Sequence, residues 1–121
     1  MSKIEKFQDL EVWQKAHQLV LEIYRATKSF PADEKYGLVL QMRRAAVSIP
    51  ANIAEGFKRR GQADKIRFYN TSETSSEELK YYLILSKDLG YLANIEQLMV
   101  DSETVSRMLY RLIESINNSR R

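Results

Sequence analysis

The chain has 121 residues, 44% of them hydrophobic and 29% charged, and a formal net charge of +3. That length supports one domain with a real core and is too short for two, and the balance is that of a folded chain, not a disordered one. With no cysteine and a single histidine, His17, the composition excludes disulfide frameworks, thiolate zinc sites and multi-histidine metal sites.

Asp9 is read as the N-cap of a first helix over about 9–29, which Phe30-Pro31 ends because a residue before proline avoids the helical region. Within it Val12, Trp13, Ala16, Leu19, Val20 and Ile23 form one apolar face. Asp33 is then expected to cap a second helix over about 33–58. Pro50 lies inside that helix and removes one backbone hydrogen bond, so a kink is expected. One continuous helix is preferred to two, because Val39, Met42, Ala46, Ile49 and Ile53 keep a bundle-seam spacing across the proline.

A third helix is predicted over about 62–88, after a basic turn bracketed by Gly56 and Gly61. Phe68, Ser72, Ser75, Leu79, Tyr82, Leu83 and Ser86 share one of its faces. Its run of small hydroxyl residues points to close helix–helix approach, since serine is a mediocre helix former. Gly90 suits the left-handed position that stops this helix. The fourth, over about 94–116, places Ile95, Leu98, Ser102, Val105, Leu109, Leu112 and Ile116 in heptad spacing, and the tail NNSRR is expected to fray. Four such helices with short connections specify an all-α, antiparallel up-down-up-down four-helix bundle in a single domain over 1–121. No apolar run approaches the roughly 18–20 residues of a membrane span and the amino terminus lacks a signal-peptide core, so a cytoplasmic protein is expected.

The second helix carries a further pattern. Leu40, Val47, Ala51 and Ala54 form a second apolar stripe roughly opposite the first, flanked by a polar ladder of Gln41, Arg44, Ser48, Asn52 and Glu55. A helix in a small monomeric bundle needs one apolar face, and a second is expected to meet another copy of the chain. The expected oligomer contact is therefore Leu40, Arg44, Val47, Ser48, Ala51, Asn52, Ala54 and Glu55. Arg44 would need a carboxylate such as Glu73 or Glu77, and Glu55 a cation such as Arg59.

Charge is also uneven. Arg43, Arg44, Lys58, Arg59, Arg60, Lys65 and Arg67 face only Glu55 and Asp64 over residues 43–67. Such an excess fits an anionic partner or a solvated interhelix corner. The candidate nucleic-acid contacts are Arg43, Lys58, Arg59, Arg60, Lys65 and Arg67, with RNA or structured DNA as the partner. Catalytic constellations are missing: there is no glycine-rich phosphate loop and no Glu-x-x-His for a di-metal bundle. No enzymatic activity, metal or cofactor is expected. The alternatives are a protein–protein adaptor that binds no nucleic acid and, less favoured, a metal-dependent hydrolase using some of Glu55, Glu73, Glu77 and Glu78. Trp13 and the tyrosines, Tyr69, Tyr81, Tyr82 and Tyr91 among them, are read as packing or interface residues rather than base-stacking platforms.

Three stretches carry a resemblance. They are FQDLEVWQKA at 7–16, followed by Phe30-Pro31 and EKYGL at 34–38; QMRRAAVSIPANIAEG at 41–56; and Arg67-Phe68-Tyr69, SEEL at 76–79 and Leu89-Gly90-Tyr91. Over roughly residues 7–92 the chain resembles the bacterial four-helix-bundle proteins linked to ribosomal-RNA intervening sequences. It is also similar in fold to accessory proteins of diversity-generating retroelements. The third helix departs from the family's pattern, with Asn70-Thr71-Ser72-Glu73-Thr74-Ser75 where alanine and glycine are usual. The resemblance implies a ring assembly, commonly a homopentamer, and a link to nucleic acid.

Overall fold

The computed structural model describes residues 3–119. A 3₁₀ turn, Phe7–Asp9, leads into α1 (Glu11–Thr27). A second, Ala32–Glu34, precedes α2 (Leu38–Lys58), and α3 (Gln62–Asp88) and α4 (Glu96–Ser119) follow. No strand is present among the described residues.

Two expected caps are corrected. Asp9 does not cap α1. Its carboxylate accepts the Glu5 and Lys6 N–H groups at 3.0 and 3.2 Å, closing the 3₁₀ turn instead. Leu10 is extended after it, so α1 starts at Glu11. Asp33 does not cap α2 either. Glu34 does, its Oε1 accepting the Leu38 N–H at 3.0 Å. A Cβ on Gly37 would come within 2.7 Å of that oxygen, so the glycine makes room for the capping carboxylate. The second helix therefore begins at Leu38, five residues beyond the expected start.

Other boundaries fall close to expectation. α2 runs unbroken through Pro50, which is buried. α3 has the predicted bounds, and Gly90 adopts φ 81°, the left-handed conformation expected there. The Asn94 side chain accepts the Glu96 N–H at 2.9 Å and opens α4. Asn117, Asn118 and Ser119 are helical rather than frayed, while Arg120 and Arg121 of the predicted tail lie outside the described residues.

Each helix packs on its sequence neighbours, α1 closes against α4, and the backbones of the diagonal pairs α1–α3 and α2–α4 stay apart. Cross-helix pairs show the directions. Early α3 meets late α2 and late α3 meets early α2: Ser72 donates to the Ile49 carbonyl and Ser86 to the Met42 sulfur. Between α3 and α4, Gln62 reaches Ser119 while Ser76 reaches Ser102 and Ser106. Both pairs are antiparallel. The core is the predicted seam of α2 (Val39, Met42, Ala46, Ile49, Ile53) with Ala16, Leu19 and Ile23 of α1, Leu79 and Leu83 of α3, and Val105 and Leu109 of α4.

On α3 the buried set is Tyr69, Ser72, Ser75, Ser76, Leu79, Leu83 and Ser86, so Tyr69 takes the place expected for Phe68. Every buried serine hydroxyl is satisfied. The small side chains let the backbones approach, as expected, and each hydroxyl also fastens a neighbour.

Candidate interaction surfaces

The outer stripe of α2 remains outside the core. Leu40 and Val47 are 38% and 40% exposed, Ala51 is exposed and Ala54 half-buried. The stripe continues onto α1. Trp13 stacks on His17 with ring centres 5.1 Å apart, Phe7 meets Trp13 edge-on at 5.2 Å, and Val20 lies beyond. Together with Val47, Pro50, Ala51 and Ala54 these residues line a shallow groove of about 300 Å³. A second cleft of about 430 Å³ shares Phe7 and Ala54 with it and reaches Glu5, Lys6, Glu55 and Lys58. The N-terminal segment thus extends the outer face of α2 toward the carboxyl end of that helix.

The polar ladder divides. Ser48 and Asn52 turn into the α2–α3 seam, where the Ser75 hydroxyl donates to Ser48 at 2.8 Å and the Asn52 amide donates to the Ser48 carbonyl and hydroxyl. Those bonds are made within the chain, and both side chains are half-buried. Glu55 pairs with Arg59 at 3.2 Å, the cation expected for it. Arg44 does not meet Glu73 or Glu77. Glu77 pairs with Lys80, which also binds Glu103 of α4 at 2.7 Å, so this edge of α3 faces α4 and not α2. Among the described residues Arg44 has neither an ion pair nor a hydrogen bond and stays exposed.

Of the six basic candidates, five lie at the α2–α3 corner, and four of these hold their charge on its outer side. Lys58, Arg59 and Arg60 surround the end of α2, and Arg67 lies in the second turn of α3. The Arg59 and Arg67 guanidiniums sit 4.6 and 4.8 Å from the centre of the Phe68 ring, a residue expected on the face that carries Ser72 and Leu79. Their ion pairs, with Glu55 at 3.2 Å and Asp64 at 3.5 Å, are solvent-exposed and therefore weak and easily exchanged.

The other two candidates use their donors within the fold, Lys65 at this same corner. Lys65 donates to the Gly56 and Phe57 carbonyls at 3.1 and 2.8 Å, closing the carboxyl end of α2, where a cation satisfies orphan carbonyls. Burial there pushes its ammonium below the usual lysine range. Arg43 lies four turns from the corner, where it donates to Thr27 Oγ1 at 3.0 Å and covers the Tyr24 ring at 4.4 Å. Spacing along the chain marked both as basic but did not show that their donors are used within the fold.

The carboxylates weighed for a hydrolase do not converge. Among the described residues no group of three or more histidine or acidic side chains is placed to hold a metal ion. Glu73 is pushed above the usual carboxylate range, first by burial and then by Glu77. No helix among the described residues is long and apolar enough to cross a membrane. Tyr69 is buried, and Tyr91 donates to Glu34 Oε2 at 2.8 Å and packs on Phe30, so both serve the fold.

The model of the 23S rRNA-intervening sequence proteins matches residues 8–111. The chain belongs to that family. The candidate residues from Trp13 through Arg67 lie inside the matched region, and Glu5, Lys6 and Phe7 precede it. A solved protein of unknown function from the S23 ribosomal protein family of Bacteroides thetaiotaomicron has the same fold, at 25% identity and a TM-score of 0.78. The likeness covers 84% of this chain and 97% of that one. No curated protein matches the sequence.

Proposed function

We propose that the protein is a cytoplasmic, non-enzymatic scaffold that assembles with copies of itself into a ring, a pentamer as the family resemblance implies, and binds nucleic acid with low specificity. The observation that carries the scaffold reading is the outer face of α2. The chain fills a complete core with one stripe and still presents Leu40, Val47 and Ala51 to solvent beside the Trp13 groove. A contiguous apolar surface of that kind marks an interaction site.

Lys58, Arg59, Arg60 and Arg67 support the nucleic-acid reading, with two of the guanidiniums packed on the Phe68 ring. One copy offers too few phosphate contacts for appreciable binding at physiological salt. Repetition around a ring converts weak contacts into avidity. Phosphate contacts position rather than specify, so no target sequence follows.

The test is a binding titration with a structured RNA at two salt concentrations, using wild type and a Lys58→Ala, Arg59→Ala, Arg60→Ala variant. Wild type is expected to bind at low salt and lose affinity steeply as salt rises, and the triple variant to lose it at both. Binding absent at low salt, or indifferent to the triple change, would leave the corner a solvated turn and make another protein the partner.

A further inference from the structure

The groove between α1 and α2 is not the only apolar surface the chain exposes. On the α3–α4 face Tyr81, Ile84 and Val100 are 59%, 44% and 56% exposed. The Lys80–Glu103 ion pair, at 2.7 Å, holds these two helix segments side by side: Tyr81 and Ile84 lie within a turn of Lys80, and Val100 is one turn before Glu103. Helix order around the bundle puts this face opposite the α1–α2 face, because α1 touches α2 and α4 but not α3.

The two faces also differ in charge. The groove lining holds no carboxylate; around it Lys6, Arg44 and Lys58 stand against Glu5 and a Glu55 already paired with Arg59, and Arg44 and Lys58 are exposed and without ion pairs among the described residues. Around the α3–α4 patch stand Glu73, Glu77, Asp88, Glu96 and Glu103 against Lys80, Lys87 and Arg107. Glu73 has no cation partner there; burial and Glu77 both act against its charge. One face is therefore apolar with a basic rim, the other apolar with an acidic rim, and each carries a charge its own chain leaves unmatched.

We infer that a second copy of this chain docks its Tyr81–Ile84–Val100 face into the α1–α2 groove, bringing its acidic rim against Arg44 and Lys58. The inference rests on the scaffold reading and specifies how copies meet. Such a contact joins two different surfaces, so each subunit has one of each to offer and the chain of contacts continues until rotation closes it into a ring. A twofold dimer would instead pair the groove with itself and set Arg44 and Lys58 against like charges, which complementary interfaces avoid.

Two surface variants test this, with mass measured by light scattering and folding by far-ultraviolet circular dichroism. Ala51→Glu spoils the groove and leaves the α3–α4 patch intact; Ile84→Asp does the reverse. Each alone is expected to be folded and monomeric at concentrations where wild type is assembled. Mixed in equal amounts, they have one good groove and one good patch between them, so the expected product is a two-chain complex and nothing larger. Either variant assembling like wild type, or a mixture that stays monomeric, overturns the inference while leaving the scaffold reading standing. A wild-type protein that is itself monomeric removes both.

Discussion

Helix α2 meets α3 with Met42, Ile49, Ile53 and a glycine, whereas α3 meets α2 with Tyr69 and a row of serines. The aliphatic side chains of α2 fill volume. The serines of α3 occupy little of it, and they let the backbone of α2 come near enough for Ser72 to donate to the Ile49 carbonyl at 2.8 Å. The same interface is thus held from one side by displaced water and from the other by close approach with satisfied hydroxyls. A helix of weak overall amphipathicity can therefore be central to a bundle, provided its partner supplies the apolar bulk.

The sharpest way to break this division is to remove bulk from α2. Ile49 is fully buried, and Ile49→Ala is expected to cost about 2–5 kcal/mol, the transfer of lost methyl groups plus the cavity they leave. Chemical denaturation measures it. A loss below about 1 kcal/mol would show that α3's hydroxyls, not α2's aliphatic chains, hold the seam.

Gly56 probes close approach from the α2 side. A Cβ built there would lie 2.6 Å from Tyr69 Cε1 and 2.9 Å from Cδ1, and that ring is only 2% exposed, with little room to retreat. Alanine is the better helix former by about 1 kcal/mol, so propensity alone predicts that Gly56→Ala stabilises. The overlap is expected to win, with a net loss of roughly 1–2 kcal/mol. A gain in the denaturation midpoint would mean that α2 and α3 are free to part by a few tenths of an ångström.

Ser76→Ala should do least to the packing. Its hydroxyl donates to the Ser102 carbonyl at 3.1 Å and is hydrogen-bonded to the Ser106 hydroxyl at 2.7 Å. Losing it is expected to cost about 1 kcal/mol, since alanine preserves the close approach and only the hydrogen bonds go. A cost equal to that of Ile49→Ala would show that hydroxyls hold the α3–α4 seam as firmly as the aliphatic chains of α2 hold the α2–α3 seam.

The sequence showed the volume-filling side of this interface better than the close-approach side. Apolar spacing located the α2 seam residue by residue, and the α3 bounds were legible from Gly61 and Gly90. Serine density pointed to close packing in α3 without saying which hydroxyl meets which carbonyl, because those bonds depend on register across two helices. Phe68 and Tyr69 were exchanged for the same reason: adjacent aromatics differ by 100° on a helix, and only Gly56 opposite shows which ring is admitted. At the basic corner, charge was legible and use was not. Lys65 and Arg43 read like their neighbours in sequence, yet carbonyls at two helix ends engage their donors.

One residue ties the start of α2 to the end of α3, and it supplies the smallest effect. Glu34 accepts the Leu38 N–H at 3.0 Å and the Tyr91 hydroxyl at 2.8 Å. These bonds, the backbone one foremost, hold its carboxyl below the ordinary glutamate value of 4.5. A carboxylate lowered in the folded state adds stability that is present above its unfolded pKa and is lost as pH falls through the folded one. Glu34→Gln keeps an oxygen for Leu38 but does not titrate. Asp9 and Glu103 are lowered as well, so wild type keeps an acid sensitivity from other groups and only the difference between the two proteins reports on Glu34. The expected result is a variant slightly less stable than wild type at pH 7, with a gap that narrows as pH drops below the ordinary glutamate value. Denaturation midpoints at pH 7 and at acid pH measure both. A gap unchanged with pH would mean that the Glu34 charge is dispensable, and that the α2 start is held by the oxygen acceptor alone.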